Sequence, residues 1–320
     1  MRRLRCWCAS LTLSLACVSA MASSSPVTAT GPAGSLAGTL ETPDTAPAHA
    51  PLVLIIPGSG PTDRDGNSPT GLHAASYRLL AADLARQGVA SVRIDKRGMF
   101  GSAHEGLDAN QVTMDDYAAD VDAWVRQLRQ TRGASCVWLL GHSEGALVAT
   151  LAAQHTQGVC GLILLDGAGR SSADVLLGQL ERYPANAPLL PRARSIVEAL
   201  RHGQHVDVAG DPPPLQRLFR PSVQGFLISW FAQDPVQALG KTHGPALVIQ
   251  GSDDLQVTTD DARRLAAARP GVQLKVIDGM NHVLKTPAAG DAANLASYGD
   301  PSLPLAEGLV AAIAGFIHGK

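Results

Sequence analysis

The sequence has few charged residues, few aromatic residues and few cysteines, and each shortage narrows what the protein can be. Charged residues make up 17% of 320 residues, and 26 Lys and Arg nearly balance 28 Asp and Glu. The formal net charge is −2, so the chain lacks the excess of basic residues that would indicate a nucleic-acid partner. At 45% hydrophobic residues, the chain can nevertheless bury a large core.

The first residues have the order of a secretory signal. The basic segment MRRLR precedes a short apolar run, and Ala20-Met21-Ala22 matches a cleavage site. We expect a signal peptide over residues 1–22 and a secreted or periplasmic protein. A lipid anchor on Cys17 is the less favoured alternative, because Ser14-Leu15-Ala16 resembles a lipobox poorly. No other run is apolar enough to span a bilayer stably.

Cysteine is scarce, and signal cleavage would leave only Cys136 and Cys160. An even pair in an oxidising compartment favours a disulfide. Each cysteine opens a predicted strand, and the two strands flank the predicted helix over residues 144–156. A Cys136–Cys160 disulfide is therefore expected, and two buried thiols are the alternative.

Apolar runs alternate with helical patterns along most of the chain. The predicted strands are PLVLIIPGSG, VASVRID, CVWLL, GLILLDG, ALVIQG and QLKVID. This alternation predicts an α/β fold, a mostly parallel central sheet with helices on both faces, over residues 36–320. A proline-rich stretch at about 170–240 predicts a helical cap insertion, and the Ser, Thr, Ala and Gly of residues 23–35 predict a flexible leader.

One serine lies where a nucleophile would be expected. The motif Gly141-His142-Ser143-Glu144-Gly145 follows the strand CVWLL and opens the helix EGALVATLAAQH. A serine at such a strand-to-helix turn adopts a strained conformation at the edge of the sheet, and the helix N-terminus favours a developing oxyanion. Ser143 is the predicted nucleophile. Its neighbour His142 is predicted to be non-catalytic, because its side chain leaves the turn in another direction.

Serine needs a base to take its proton and an acid to orient that base. In this type of fold the chain order is serine, acid, histidine, each in a loop after a strand. Asp253 and Asp254 follow the strand ALVIQG, and His282 follows the strand QLKVID. His282 is the predicted base.

These three separated motifs resemble those of the α/β-hydrolase superfamily from about residue 36 onward. In that family the acid usually lies three residues after the glycine that ends its strand. Here that glycine is Gly251, so the resemblance favours Asp254, with Asp253 as the alternative.

The resemblance also implies an oxyanion hole. Similar proteins have His-Gly-x after the first buried strand, where the amide of x is one donor. This sequence has Pro57-Gly58-Ser59, so the expected donors are the backbone N–H groups of Ser59 and Glu144.

Two charged stretches are expected to be structural. Asp63, Asp65 and Asn67 in GPTDRDGN lack the ligand spacing of a calcium loop, so a charged turn bracing the oxyanion loop is favoured. In IDKRGMFGS, which resembles the family's D-x-R-G-x-G-x-S stretch, Asp95 and Arg97 are expected to form an ion pair. Neither a metal nor an organic cofactor is required.

The sequence therefore predicts a secreted serine hydrolase that cleaves carboxylic esters through an acyl-enzyme. A peptidase resembling the serine aminopeptidases is the alternative, and would need an acidic amine subsite. The candidate acids are Glu181, Asp207 and Asp234. Acyl transfer from the same acyl-enzyme is a further alternative, whereas the complete set of triad residues argues against a non-catalytic binding protein, and the sequence does not give the oligomeric state. The aromatic cluster of Phe226, Trp230 and Phe231 would form either the core of the insertion or a wall of an apolar substrate pocket.

Overall fold

A computed structural model describes residues 23–43 and 50–319. The predicted signal peptide, its cleavage site and Cys17 lie outside the described residues. Within them, every helix is too short or too polar to serve as a membrane span.

An eight-stranded sheet forms the centre of the molecule. Its strands in chain order are β1 (Ser23–Gly31), β2 (Gly34–Thr42), β3 (Leu52–Ile56), β6 (Ala90–Ile94), β7 (Val137–His142), β8 (Val159–Leu165), β9 (Ala246–Gly251) and β10 (Val272–Ile277). A separate two-stranded hairpin consists of β4 (Asn67–Ser68) and β5 (Leu72–His73). The order across the large sheet is β1-β2-β6-β3-β7-β8-β9-β10.

The six strands from β6 to β10 across the sheet are parallel, and all six predicted strands are among them. Their carboxyl ends therefore meet along one edge, which is where an open α/β sheet positions its site residues. The predicted fold is confirmed.

The N-terminal hairpin corrects one prediction. Residues 23–35 are not a flexible leader, because they form β1 and the start of β2, and β2 pairs antiparallel with β6. Pairing satisfies the backbone of a polar segment whose composition alone indicated a loop. Alternate side chains, among them Leu36 and Leu40, are buried on one face.

Helices cover both faces of the sheet. The helices are α1 (Ser76–Arg86), α2 (Met114–Arg132), α3 (Glu144–Ala153), α4 (Ser172–Glu181), α5 (Leu190–Arg201), α6 (Pro213–Leu218), α7 (Pro221–Phe231), α8 (Pro235–Gly240), α9 (Thr259–Ala266), α10 (Asp291–Ala296) and α11 (Leu309–His318). One hydrophobic cluster joins the sheet to residues of α2, α3, α8 and α9. The other joins the opposite face to α1 and α11.

Helix α2 illustrates why these boundaries occur where they do. Thr113 and Asp116 form a reciprocal capping box, which satisfies two backbone donors at the helix start. Gly133 ends the helix in the left-handed conformation at φ 64°.

Four helices, α4 to α7, form a cap between β8 and β9, within the stretch where a helical insertion is predicted. The cap has its own hydrophobic core, in which Phe219 and Phe231 are buried. The predicted disulfide between Cys136 and Cys160 is present and joins the amino ends of β7 and β8.

Candidate active site

Ser143 stands between β7 and α3 in a strained backbone conformation, with φ 53° and ψ −119°. A non-glycine residue at positive φ costs free energy, and such strain is concentrated at functional sites. The glycines on either side permit the turn. A Cβ atom on Gly141 would lie 2.0 Å from the Gly145 carbonyl oxygen, and one on Gly145 would lie 2.3 Å from the Ile56 carbonyl oxygen.

The two predicted oxyanion donors lie beside this serine. Ser59 and Glu144 line the same cavity as Ser143. Among the described residues, neither backbone N–H donates a hydrogen bond. Two unengaged backbone N–H groups next to a strained serine, one of them at a helix N-terminus, are suited to donate hydrogen bonds to a negative oxygen.

Asp254 and His282 are in direct contact although 28 residues separate them along the chain. His282 Nδ1 lies 2.7 Å from Asp254 Oδ2, and both side chains are buried. Their loops follow β9 and β10, adjacent parallel strands, so sheet register brings the two loops together.

The hydrogen bonds around Asp254 use its carboxylate oxygens as acceptors. Its Oδ1 accepts from the backbone N–H groups of Gln256 and Val257, and Oδ2 also accepts from Gln250 Nε2. With three donors already directed at it, the carboxylate acts as an acceptor toward His282, whose Nδ1 therefore carries the proton. This arrangement leaves His282 Nε2 as the nitrogen able to take a proton.

The alternative acid, Asp253, is exposed and accepts a hydrogen bond from the neighbouring Ser252 hydroxyl. The structure therefore pairs His282 with Asp254. Among the described side chains, no hydrogen bond joins the Ser143 hydroxyl to His282. Such bonds are often long without substrate and tighten when it binds.

His142 is held by a directional network. Its Nε2 lies 2.8 Å from the His282 carbonyl oxygen, which can only accept, so Nε2 carries the proton. Its Nδ1 then accepts from the Tyr77 hydroxyl at 2.7 Å, and the Tyr77 oxygen accepts from the Gly58 N–H at 3.0 Å. Burial, followed by the nearby His282, lowers the pKa of His142 to about 3. His142 is therefore neutral, with neither ring nitrogen free to act on Ser143.

Asp166, which follows β8, is a neighbour that the sequence analysis did not identify. It is fully buried in a left-handed conformation at φ 47°, and its Oδ1 accepts from the Gly251 N–H. Burial first, and then the nearby Asp254, raise the pKa of Asp166.

Asp166, His142 and His282 place one potential ligand atom each within 4.8 Å of one another. Because both nitrogens of His142 are engaged in hydrogen bonds, the group does not fit a metal site.

The two charged stretches form ion pairs, but not the predicted one. Asp95 does not pair with Arg97. Instead Asp95 binds Arg64 from GPTDRDGN, and Arg97 binds Asp120 and Asp116 on α2. Sequence proximity misled here, because Asp95 and Arg97 both lie in the loop after β6 and their partners come from distant parts of the chain.

A chamber of about 260 Å³ opens on Ser143 beneath the cap. Its wall is mainly apolar, with side chains from α3, α4, α6 and α7. The largest apolar ones are Leu147, Val175, Leu176, Leu218, Leu227 and Trp230.

A second chamber of about 370 Å³ lies on the other side of Glu144. Tyr117, Val223 and Phe226 form part of its wall. The aromatic cluster is thus divided, because Trp230 lines the first chamber, Phe226 lines the second, and Phe231 is in the cap core. A larger cavity of about 710 Å³ lies between α2, α3 and α8, and its lining includes the candidate acid Asp234 but not Ser143, Asp254 or His282.

The three acids considered for an amine subsite lie elsewhere. Glu181 pairs with Arg194 on the surface, Asp207 accepts from the Ala209 N–H, and Asp234 caps α8. Among the described residues, the only acid lining the first chamber is Glu144.

Three features together define an α/β hydrolase. They are the mostly parallel sheet, the strained serine at a strand-to-helix turn, and the Asp–His pair in the loops after β9 and β10. The sequence matches the family model described as serine aminopeptidase, S33, over residues 70–286. The chain belongs to this family.

One curated relative is similar in sequence to most of this chain. The chain is 25% identical over 239 residues to esterase EstD of Thermotoga maritima, a match covering 73% of this chain and 54% of that protein. It therefore spans about half the length of this curated relative.

Two solved structures are similar in fold at lower identity. Proline iminopeptidase of Mycobacterium smegmatis aligns with a TM-score of 0.61 at 18% identity, covering 92% of this chain and 98% of that one. Est1E of Butyrivibrio proteoclasticus aligns with a TM-score of 0.58 at 17% identity, covering 92% and 99%.

Proposed function

We propose that this protein is a serine hydrolase that cleaves carboxylic esters through a Ser143-His282-Asp254 triad. The observation that carries the proposal is the buried Asp254–His282 hydrogen bond at the same sheet edge as the strained Ser143. The esterase EstD, similar over 239 residues, supports the choice of reaction.

The proposed reaction has two steps. Ser143 Oγ attacks the ester carbonyl carbon as His282 Nε2 takes the hydroxyl proton and Asp254 stabilises the imidazolium. The Ser59 and Glu144 N–H groups bind the oxyanion. Collapse expels the alcohol, which receives the proton from His282, and water then releases the acid by the same route.

Ester cleavage is favoured over aminopeptidase activity by the chemistry of the chamber. A free α-amine is bound by unpaired acceptors or acidic groups, whereas the chamber wall is mainly apolar. Its one acid, Glu144, is already paired with Lys96 at 2.8 Å. We assign the acyl group to the first chamber and the alcohol to the second.

The volume of the first chamber limits the length of the acyl group that it can hold. At about 260 Å³ and with a mainly apolar wall, the chamber suits short to medium acyl chains.

The test is turnover and covalent labelling of the purified protein. We expect a fluorophosphonate to label Ser143, and p-nitrophenyl esters from acetate to decanoate to be hydrolysed with a burst of p-nitrophenol. Ser143→Ala is the control and should lose both. Aminoacyl-p-nitroanilides, tested in parallel, should be poor substrates. Anilide cleavage exceeding ester cleavage would indicate the peptidase instead, and absence of labelling would refute an activated serine.

Narrowing the first chamber should shorten the preferred acyl chain. We expect Val175→Phe to lower kcat/KM for octanoate at least 10-fold, because added bulk excludes the distal carbons. Hydrolysis of acetate should stay within about threefold. The matched variant is Val223→Phe in the second chamber, which should change the dependence on the alcohol and leave the chain-length profile intact. An unchanged profile in Val175→Phe would place the acyl group elsewhere.

We also propose that the protein functions outside the cytoplasm. The signal-like residues 1–22 and the Cys136–Cys160 disulfide support this proposal, because such bonds persist in oxidising compartments. Detection of a mature chain beginning at Ser23 in the secreted or periplasmic fraction would test it.

A further inference from the structure

The two peptide groups on either side of Gly58 are each held by a hydrogen bond with a side chain. The Gly58 N–H donates to the Tyr77 hydroxyl at 3.0 Å, and the Gly58 carbonyl oxygen accepts from Lys96 Nζ at 2.8 Å. The Gly58 carbonyl and the Ser59 N–H belong to one planar peptide and point in opposite directions. Fixing the carbonyl therefore fixes the direction of the proposed oxyanion donor.

The same ammonium group contacts the second half of the oxyanion hole. Lys96 Nζ lies 2.8 Å from Glu144 Oε1, and Glu144 provides the other proposed N–H donor. Both side chains are buried, with 3% of Lys96 and 0% of Glu144 exposed. Lys96 also lies over the Tyr117 ring, 5.1 Å from its centroid. One buried cation thus connects the Gly58 loop to the Ser143–Glu144 turn, whose contact residues lie 38 and 48 positions from Lys96 along the chain.

Charge gives Lys96 a second effect. The Glu144 carboxylate is held beside the place where the oxyanion would form, and among the described residues its Oε2 has no hydrogen-bond partner. Without Lys96 this would be an uncompensated buried negative charge, which opposes both folding and a developing oxyanion. With Lys96 present, the pair is neutral.

We propose that Lys96, with Glu144 as its counter-ion, is a positioning residue that orients the Ser59 N–H and neutralises the oxyanion site. The inference rests on the proposed function. It assigns a role to Lys96, between Asp95 and Arg97, and to the side chain of Glu144, between Ser143 and Gly145.

The test is a double-mutant cycle of Lys96→Met, Glu144→Gln and both together. We expect Lys96→Met to lower kcat about 100-fold, the effect of losing one oxyanion donor, with KM within about threefold. An alkylboronic acid, which forms a tetrahedral adduct with the serine, should bind more weakly by a similar factor. Glu144→Gln leaves Lys96 as an unpaired buried cation, so we expect it to lower stability and to lower kcat less than Lys96→Met does. The double variant should recover about 10-fold over Lys96→Met, because the lone buried carboxylate is removed.

Arg93→Met is the matched control. Arg93 is a buried cation that pairs with Asp65 and Glu41 and does not contact Gly58 or Glu144. We expect it to lower stability while kcat of the folded protein stays within about threefold of wild type. A general loss of packing would instead lower kcat alike in Arg93→Met and Lys96→Met.

Each outcome supports or overturns either the proposed function or the role proposed for Lys96. Wild-type protein without Ser143-dependent turnover would refute the proposed function. If the wild type is active and Lys96→Met keeps the wild-type kcat and boronate affinity, only the role of Lys96 is overturned. A double variant no faster than Lys96→Met would also overturn that role. If Lys96→Met does not fold, the double variant carries the test alone. A kcat about 10-fold below wild type supports the role, and a wild-type kcat overturns it.

Discussion

Asp254→Asn should lower kcat by about 10⁴-fold and leave KM nearly unchanged, if His282 is the base for Ser143. The carboxylate accepts the Nδ1 proton of His282 at 2.7 Å and three further hydrogen bonds. An amide at this position would direct one N–H₂ group at these donors. It would therefore favour the imidazole tautomer that has a proton on Nε2, which cannot accept the serine proton.

Asp253→Asn is the matched control for that experiment, since it changes the adjacent acid in the same loop. Asp253 is exposed, and the His282 ring hydrogen-bonds to Asp254 instead, so kcat should stay within about threefold of wild type. Steady-state kinetics on one p-nitrophenyl ester would measure both variants. If Asp254→Asn retained activity and Asp166→Asn lost it, the buried Asp166 would be the acid that orients His282.

The features that the sequence predicted correctly are local ones. The strands β3, β7 and β9 are short, largely apolar runs that end in small or polar loops, so they could be identified from pattern alone. Ser143 could be selected because its motif lies at a strand-to-helix junction, and chain order then limited the acid and the base to two loops.

The features that it missed depend on contacts between distant residues. The strand β1 has no apolar alternation strong enough to predict it, and it forms because β2 supplies a partner. The choice of Asp254 over Asp253 required the family resemblance, and the side-chain geometry became clear only in the folded chain. No motif marks Lys96 or Tyr77 in the sequence, yet both bind Gly58 in the folded chain.

The network around His142 ties the Ser143 turn to the oxyanion loop and to the His282 loop, and it should make the protein sensitive to acid. Burial lowers the pKa of His142 from 6.5 to about 3 in the folded state. Between these values the unfolded chain binds a proton at this position and the folded protein does not. The stability contributed by neutral His142 is therefore complete above pH 6.5 and is lost as the pH falls toward 3.

The expected loss in free energy of unfolding from this one group is about 3 kcal/mol at pH 4.5 and about 4 kcal/mol at pH 3. Urea unfolding of wild type and His142→Gln between pH 7.5 and 4.5 would measure it. Glutamine can still donate to the His282 carbonyl but does not titrate. The variant should therefore lack this part of the pH dependence, whatever its stability at neutral pH.

His243→Gln provides the matched control, because His243 is exposed and lies outside this network. Its pH dependence should follow wild type. Parallel curves for wild type and His142→Gln would mean that His142 takes up its proton equally readily in both states. The neutral, doubly bonded imidazole described above would then be wrong, and with it the direction of the hydrogen bonds from Gly58 through Tyr77 to His142.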